Sequence, residues 1–188
     1  MTDPLRTFIA LELSQDHKAV IGNILTSLKC IDADVKWVQP DNCHITLKFL
    51  GQTPQVQIPL IAQAMDALAK TVPAFPVGLD NIGAFPDIDK PQIIWIGLSQ
   101  GNQELRNLSH LVQSQLVQLD FPKETRPFHP HITIGRIRTN RGAKALSQVL
   151  KTTPITSQTN ESRNITLFES TLSSHGPRYS VIHRSPLK

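Results

Sequence analysis

Long apolar runs are missing from this 188-residue chain, whose longest, residues 93–98 with Gly97 inside it, falls far short of the roughly 20 residues that a membrane helix needs. A helical bilayer span is therefore excluded. Cysteine is scarce: Cys30 and Cys43 are the only two, with no CxxC or Cys/His ligand spacing, which rules out a disulfide scaffold and gives no support for a zinc site. Both are expected to be buried free thiols. The nine glycines form no GxGxxG and no P-loop, so ATP-dependent phosphoryl transfer has no sequence support. A basic leader is absent as well. Asp3 and Pro4 stand where a signal peptide would carry positive charge, and Glu12 interrupts the only apolar stretch nearby, so the expected protein starts at Met1 and works in the cytoplasm. No segment is low-complexity, and no linker divides the chain.

What remains is an ordinary soluble composition, 39% hydrophobic and 18% charged, at a length that suits one domain or two closely packed half-size lobes. The net charge of +4 is unevenly spread. Residues 1–94 hold 7 basic and 10 acidic side chains, whereas residues 95–188 hold 12 basic and 5 acidic. The second half is the one suited to a polyanion such as RNA, through long-range attraction.

Hydrophobic periodicity predicts a strand over 7–13, then a helix over 15–29 capped by Ser14 with Val20, Ile21, Ile24, Leu25 and Leu28 on one face. Segments 35–39 and 43–50 read as a pair of strands around Pro40-Asp41-Asn42, and 51–54 breaks the pattern. A helix carrying Ile58, Ile61, Met65 and Leu68 precedes extended segments at 75–79 and 82–85. The second half repeats the order: a strand over 93–98, a helix over 102–119, a strand over 131–138, a short helix over 143–150, and strands over 165–169 and 179–183.

Within that repetition one pattern recurs almost letter for letter, His44-Ile45-Thr46-Leu47 and His131-Ile132-Thr133-Ile134, 87 residues apart and so close to half the chain. Side chains two apart on a strand share a face, which puts each histidine with its threonine and leaves Cys43, Ile45, Leu47 and Phe49, or Ile132 and Ile134, on the other. A polar face of one imidazole and one hydroxyl suits a cleft wall. If a pseudo-twofold axis relates the halves, the two faces meet across one cleft. Two imidazoles flanking a phosphorus atom can then serve as general base and general acid near pH 7, and the hydroxyls can donate to non-bridging oxygens. That chemistry requires neither a metal nor a covalent nucleophile.

These motifs, with Arg6-Thr7-Phe8-Ile9-Ala10-Leu11, Trp37-Val38, Lys48-Phe49-Leu50-Gly51, Ile94-Trp95-Ile96-Gly97, Phe128-His129-Pro130, Gly135-Arg136, Leu167-Phe168-Glu169-Ser170 and Gly176-Pro177-Arg178-Tyr179, cover nearly the whole chain. The chain resembles the two-histidine phosphoesterase superfamily, and within it the RNA 2′,3′-cyclic phosphodiesterase branch, historically called 2′-5′ RNA ligase. The resemblance implies an α+β bilobal fold with pseudo-twofold symmetry, in which two antiparallel β-sheets line a central cleft and the helices pack outside. Residues 1–188 would form a single domain of two interleaved lobes. By position, His44 resembles the family's proton donor and His131 its proton acceptor, with Thr46 and Thr133 binding phosphate. Arg136 resembles a family phosphate-binding arginine, although strict alternation from His131 puts it on the apolar face unless a bulge at Gly135 or the end of the strand turns it inward. Lys90 before Pro91 is a departure, since relatives often carry arginine there.

The resemblance implies no cofactor and no metal, a monomer, and as partner RNA with 2′,3′-cyclic phosphate ends, tRNA fragments among them. Alternatives are a phosphodiesterase of a small cyclic phosphate, such as ADP-ribose 1″,2″-cyclic phosphate or a cyclic nucleotide, and a non-catalytic module that binds RNA ends. Of the other histidines, His129 is expected at the cleft rim or in a hydrogen-bonded loop, His17 and His110 on the surface, and His175 and His183 in a basic C-terminal segment. Phe128 is expected to pack its loop on the core, and Trp37 and Trp95 to pack under the two lobes.

Overall fold

A computed structural model describes residues 3–173 and 176–188. Strand β1 (Leu5–Glu12) runs into Ser14, whose hydroxyl accepts the His17 backbone N–H at 3.1 Å and so opens helix α1 (Gln15–Leu28). Strand β2 (Val35–Trp37), a short 3-10 turn (Pro40–Asn42) and strand β3 (His44–Thr53) follow, then helix α2 (Ile58–Ala69). A long hairpin of β4 (Phe75–Asp87) and β5 (Lys90–Gln100) leads to helix α3 (Asn102–Leu116), strand β6 (Ile132–Ile137) and helix α4 (Ala143–Thr152). Strands β7 (Thr159–Ser162), β8 (Asn164–Ser173) and β9 (Gly176–Pro186) complete the described chain.

The strands form two antiparallel sheets, ordered β3-β1-β8-β9 and β2-β6-β5-β4-β7, as the α+β expectation requires. Helices α2 and α3 cover one face of the first sheet, while α4 covers β4 and β5 of the second and α1 packs beside α4 and β7. Ile9, Leu11, Ile45 and Leu47 of the first sheet and Ile94, Ile96, Ile132 and Ile134 of the second are all buried in a continuous core with the helices. The opposite faces of both sheets are left for the cleft. Segments 35–39 and 43–50 do not pair with each other: β2 joins β6 and β3 joins β1, because the Pro40–Asn42 turn carries the chain from one sheet to the other.

Several side chains depart from expectation. His17 is buried, because it sits one turn before Ile21 on the same stripe of α1, and its Nε2 lies 3.2 Å from the Gln158 carbonyl oxygen. Cys30 is exposed, just past the end of α1, and only Cys43 is a buried thiol. His183 projects from β9 toward α2, with Nε2 2.8 Å from Asp66 Oδ1, where Ser185 Oγ also donates at 2.6 Å. Phe128 and Trp37 pack partly buried against the core, and His110 is exposed, as expected. Segments 75–79 and 82–85 are one strand, and β7 was missed because Thr-Asn-Glu-Ser carries no apolar alternation. The 51–54 break falls later, since β3 continues through Gly51 at φ 74° to Thr53, whose Oγ1 bonds Thr7 Oγ1 at 2.7 Å. His175 and Ser174 lie outside the described residues.

Candidate active site

His44 opens β3 and His131 immediately precedes β6, and the two strand starts are side by side: Cys43 Sγ lies 3.8 Å from the Thr133 carbonyl oxygen. Each ring is held in the same way. His44 Nδ1 is 2.8 Å from the Asn42 carbonyl oxygen, and His131 Nδ1 is 2.6 Å from the His129 carbonyl oxygen. A carbonyl only accepts, so in both rings Nδ1 carries the hydrogen and Nε2 is the atom left to exchange a proton. The side chain of His129 itself is exposed, and its contribution is this backbone oxygen.

Aromatic rings brace both imidazoles. Phe8 and Tyr179 lie 4.7 and 5.2 Å from His44, and Phe168 stacks on Phe8 at 5.2 Å. Across the cleft, Phe85 meets His131 edge-on at 5.2 Å and Trp95 lies at 6.4 Å. Trp95 therefore belongs to the cleft face and not under its lobe, correcting the expectation, and its indole rests on the backbone of Gly83, where an added Cβ would fall 2.2 Å from the ring. Burial is the main cause that takes His44 down to about 4, with the carbonyl bond opposing it and His131 adding a small push downward. His131 is lowered for the same first reason, against its own carbonyl bond, with His129 and Arg136 adding to the fall. Cys43 is pushed up to about 12 by burial, which leaves a neutral thiol.

The two repeats share a feature that their letters do not show. In β3 the pairing with β1 runs from Ala10 opposite Thr46 to Ile9 opposite Lys48, leaving Leu47 as an extra residue. In β6 the pairing with β5 runs from Trp95 opposite Thr133 to Ile94 opposite Gly135, leaving Ile134 extra. Each bulge falls three residues after the histidine, and each shifts the alternation by one. Two consequences follow at the fifth residue after each histidine. Phe49 pairs with Phe8 and turns out of the core to become 61% exposed. Arg136 pairs with Ile93 and so shares the cleft face with Trp95 and Thr133, so the turn inward comes from a bulge at Ile134 and not at Gly135. Lys48, displaced to the helix side, is buried and donates to the Pro122 carbonyl oxygen at 2.6 Å. The carbonyl of bulged Leu47 is satisfied by Ser109 Oγ of α3 at 3.2 Å.

Thr46 and Thr133 face the cleft half-buried, and neither hydroxyl has a hydrogen-bond partner among the described residues. The five expected site residues are thus on the cleft faces of two adjacent strands. Sequence reasoning missed Phe8, Phe49, Phe85, Trp95, Phe168 and Tyr179, whose facing depends on bulges and cross-strand register.

Residues 25–165 match the family model of the 2′-5′ RNA ligase superfamily. The chain is 37% identical over 183 residues to the RNA 2′,3′-cyclic phosphodiesterase of Aquifex aeolicus, covering 95% of both chains. It is 33% identical over 165 residues to the RNA 2′,3′-cyclic phosphodiesterase of Aeropyrum pernix, covering 87% of this chain and 92% of that one. Its fold is similar to that of apo LigT of E. coli, with a TM-score of 0.81 at 24% identity over 100% of this chain and 99% of that one. A protein of Thermus thermophilus gives 0.80 at 22% identity over 97% and 98%.

Proposed function

The chain belongs to the 2′-5′ RNA ligase superfamily, and from that membership and the cleft geometry we propose that it hydrolyses RNA 2′,3′-cyclic phosphate ends to 2′-phosphomonoesters by two-histidine acid/base catalysis. The observation that supports the reading is the matched pair of Nδ1-to-carbonyl bonds, which leaves both Nε2 atoms available for proton exchange.

Neutral His131 takes a proton from water through Nε2, and the water oxygen forms a bond to phosphorus. The phosphorus–O3′ bond breaks, and protonated His44 gives its Nε2 proton to the departing O3′. The phosphate stays on the 2′ oxygen. Charge growing on the non-bridging oxygens is met by the Thr46 and Thr133 hydroxyls and by the Arg136 guanidinium. Burial keeps His44 neutral in the free enzyme, so the charge of the incoming phosphate is what allows it to hold the proton it must donate. Exposed Phe49, 6.1 Å from Phe8, offers a stacking face for the terminal base. With the 5′ hydroxyl of a second RNA end in place of water as the nucleophile, and O3′ again the leaving group, the same groups would join the two ends through a 2′-5′ linkage. Among the described residues no group of three or more His, Cys, Asp or Glu side chains is placed to hold a metal ion, and the acid/base pair is complete without one.

The test is incubation of a defined RNA bearing a 2′,3′-cyclic phosphate in excess chelator, with the product identified. A 2′-phosphomonoester is expected. A 3′-phosphomonoester would overturn the assignment of the leaving oxygen, and turnover that needs an added divalent ion would overturn the metal-free chemistry. A small cyclic phosphate turned over much faster than RNA would favour the small-ligand alternative.

A further inference from the structure

Lys36 stands on edge strand β2 directly opposite Arg136, which gives the two side chains the same face of the second sheet. Both are exposed, and neither has an ion-pair partner among the described residues. Some other basic side chains do find acids, as in Lys18 with Asp41, Arg141 with Asp32, Lys151 with Asp89 and Arg184 with Glu12. Like charges directly opposite on neighbouring strands repel, so this uncompensated pair weakens the sheet edge unless an anion sits over it.

The position of the Lys36 ammonium is also defined. A Cβ added to Gly176, the first residue of β9, would lie 3.8 Å from Lys36 Cε and 4.0 Å from Nζ. Asn42 Nδ2 donates to the Pro177 carbonyl oxygen at 3.2 Å at the same junction. The ammonium therefore stands where the β2 edge of one sheet meets the β9 edge of the other, one strand farther from His131 than Arg136. Tyr179, three residues along β9, places its ring against His44 and is influenced by the charges of both Arg136 and Arg6. The arginine and lysine charges thus lie together at this end of the cleft, outward of the two histidines.

Resting on the hydrolytic reading above, we propose that Lys36 forms a second phosphate subsite, which takes the phosphodiester on the 5′ side of the terminal nucleotide while Arg136 takes the cyclic phosphate. The terminal ribose of an RNA carries phosphate at both places, and a bare nucleoside 2′,3′-cyclic phosphate carries only one. A lysine suits the outer position, because a diester phosphate with one charge can be met by a point charge on a flexible stem and needs no bidentate fork. The subsite makes an RNA chain a better substrate than the nucleoside.

The experiment compares the wild type, Lys36→Ala and Lys36→Arg on a nucleoside 2′,3′-cyclic phosphate, on its 5′-phosphorylated form and on a dinucleotide with the same cyclic end. Lys36→Ala should lose about tenfold more in kcat/KM on the two 5′-phosphate substrates than on the nucleoside, the size of one charge-assisted contact. Lys36→Arg should recover most of that difference. The salt dependence on the dinucleotide should become shallower by about 0.7 in log–log slope. Equal losses on all three substrates, or none, would overturn the subsite. If the wild type turns over no cyclic phosphate, the hydrolytic reading fails by itself, and calorimetric titration with a dinucleotide 3′-phosphate and a nucleoside 3′-phosphate decides the subsite separately. Lys36→Ala must then weaken the dinucleotide selectively, and equal weakening overturns the proposal.

Discussion

His44, pressed between Phe8 and Tyr179, is taken by burial to about 4, and His131 is lowered for the same reason beside Phe85 and Trp95, so neither imidazole starts from its ordinary value of 6.5. Because kcat/KM reports the free enzyme, both limbs of its pH profile should move down, with the optimum on the acid side of 6.5. In the complex the phosphate charge raises His44, so the basic limb of kcat should lie at higher pH than that of kcat/KM. Steady-state rates measured from about pH 4 to 9 check this, and coincident profiles centred above about pH 7 would mean that His44 keeps its basicity in the free enzyme. The roles separate with an aryl phosphodiester, whose phenolate leaves without needing a proton. His44→Ala should be rescued on it, while His131→Ala stays impaired by about 10²–10⁴-fold. Rescue of His131→Ala instead would exchange the two roles.

At the scale of strands, the Gly83–Trp95 contact gives a sharp prediction, because a Cβ at Gly83 would lie 2.2 Å from the indole that stands beside His131. Gly83→Ala should force the ring off its seat, costing about 1–3 kcal/mol of stability by overpacking and lowering turnover with it. Gly22→Ala in α1 is the contrast: its Cβ would meet nothing nearer than Pro40 Cγ at 3.8 Å, so it should gain about 0.5–1 kcal/mol. Thermal unfolding of both variants checks the pair, and equal shifts would mean that the Trp95 seat is soft. The Gly83 contact also marks the limit of what was legible. The His-x-Thr repeat, the apolar stripes of α2 and α3 and most strands could be read from residue spacing alone, because periods of about 2 and 3.6 are local properties. The facing of Phe49 and Arg136 could not, since each depends on a bulge at Leu47 or Ile134, neither of them a glycine or proline that would flag it. Trp95 and His17 were misplaced for a related reason, as their surroundings come from a paired strand and from a carbonyl 141 residues away.

For the molecule as a whole, the same burial that tunes the cleft opposes folding in acid. Between pH 6.5 and about 4 the unfolded chain binds a proton at His44 that the folded chain excludes, so stability falls as pH falls through that window. Buried His17 and half-buried His131, both lowered by desolvation, act in the same direction. The melting temperature should therefore decline from about pH 7 toward pH 4, and His44→Phe, which removes the titrating group, should show a shallower decline. An anion in the cleft reverses part of this, since it raises the pKa of His44 and allows the folded state to take up the proton. Sulfate is the suitable probe, because its own charge does not change over this range. Its effect on the melting temperature should grow as pH falls from about 7 to 5, and its binding near pH 6 should be accompanied by proton uptake, read by calorimetry in two buffers of different ionisation enthalpy. His44→Phe should abolish most of that uptake. Sulfate binding with no proton exchange in the wild type would mean that an anion does not protonate His44, and the acid would then have to be charged by another route.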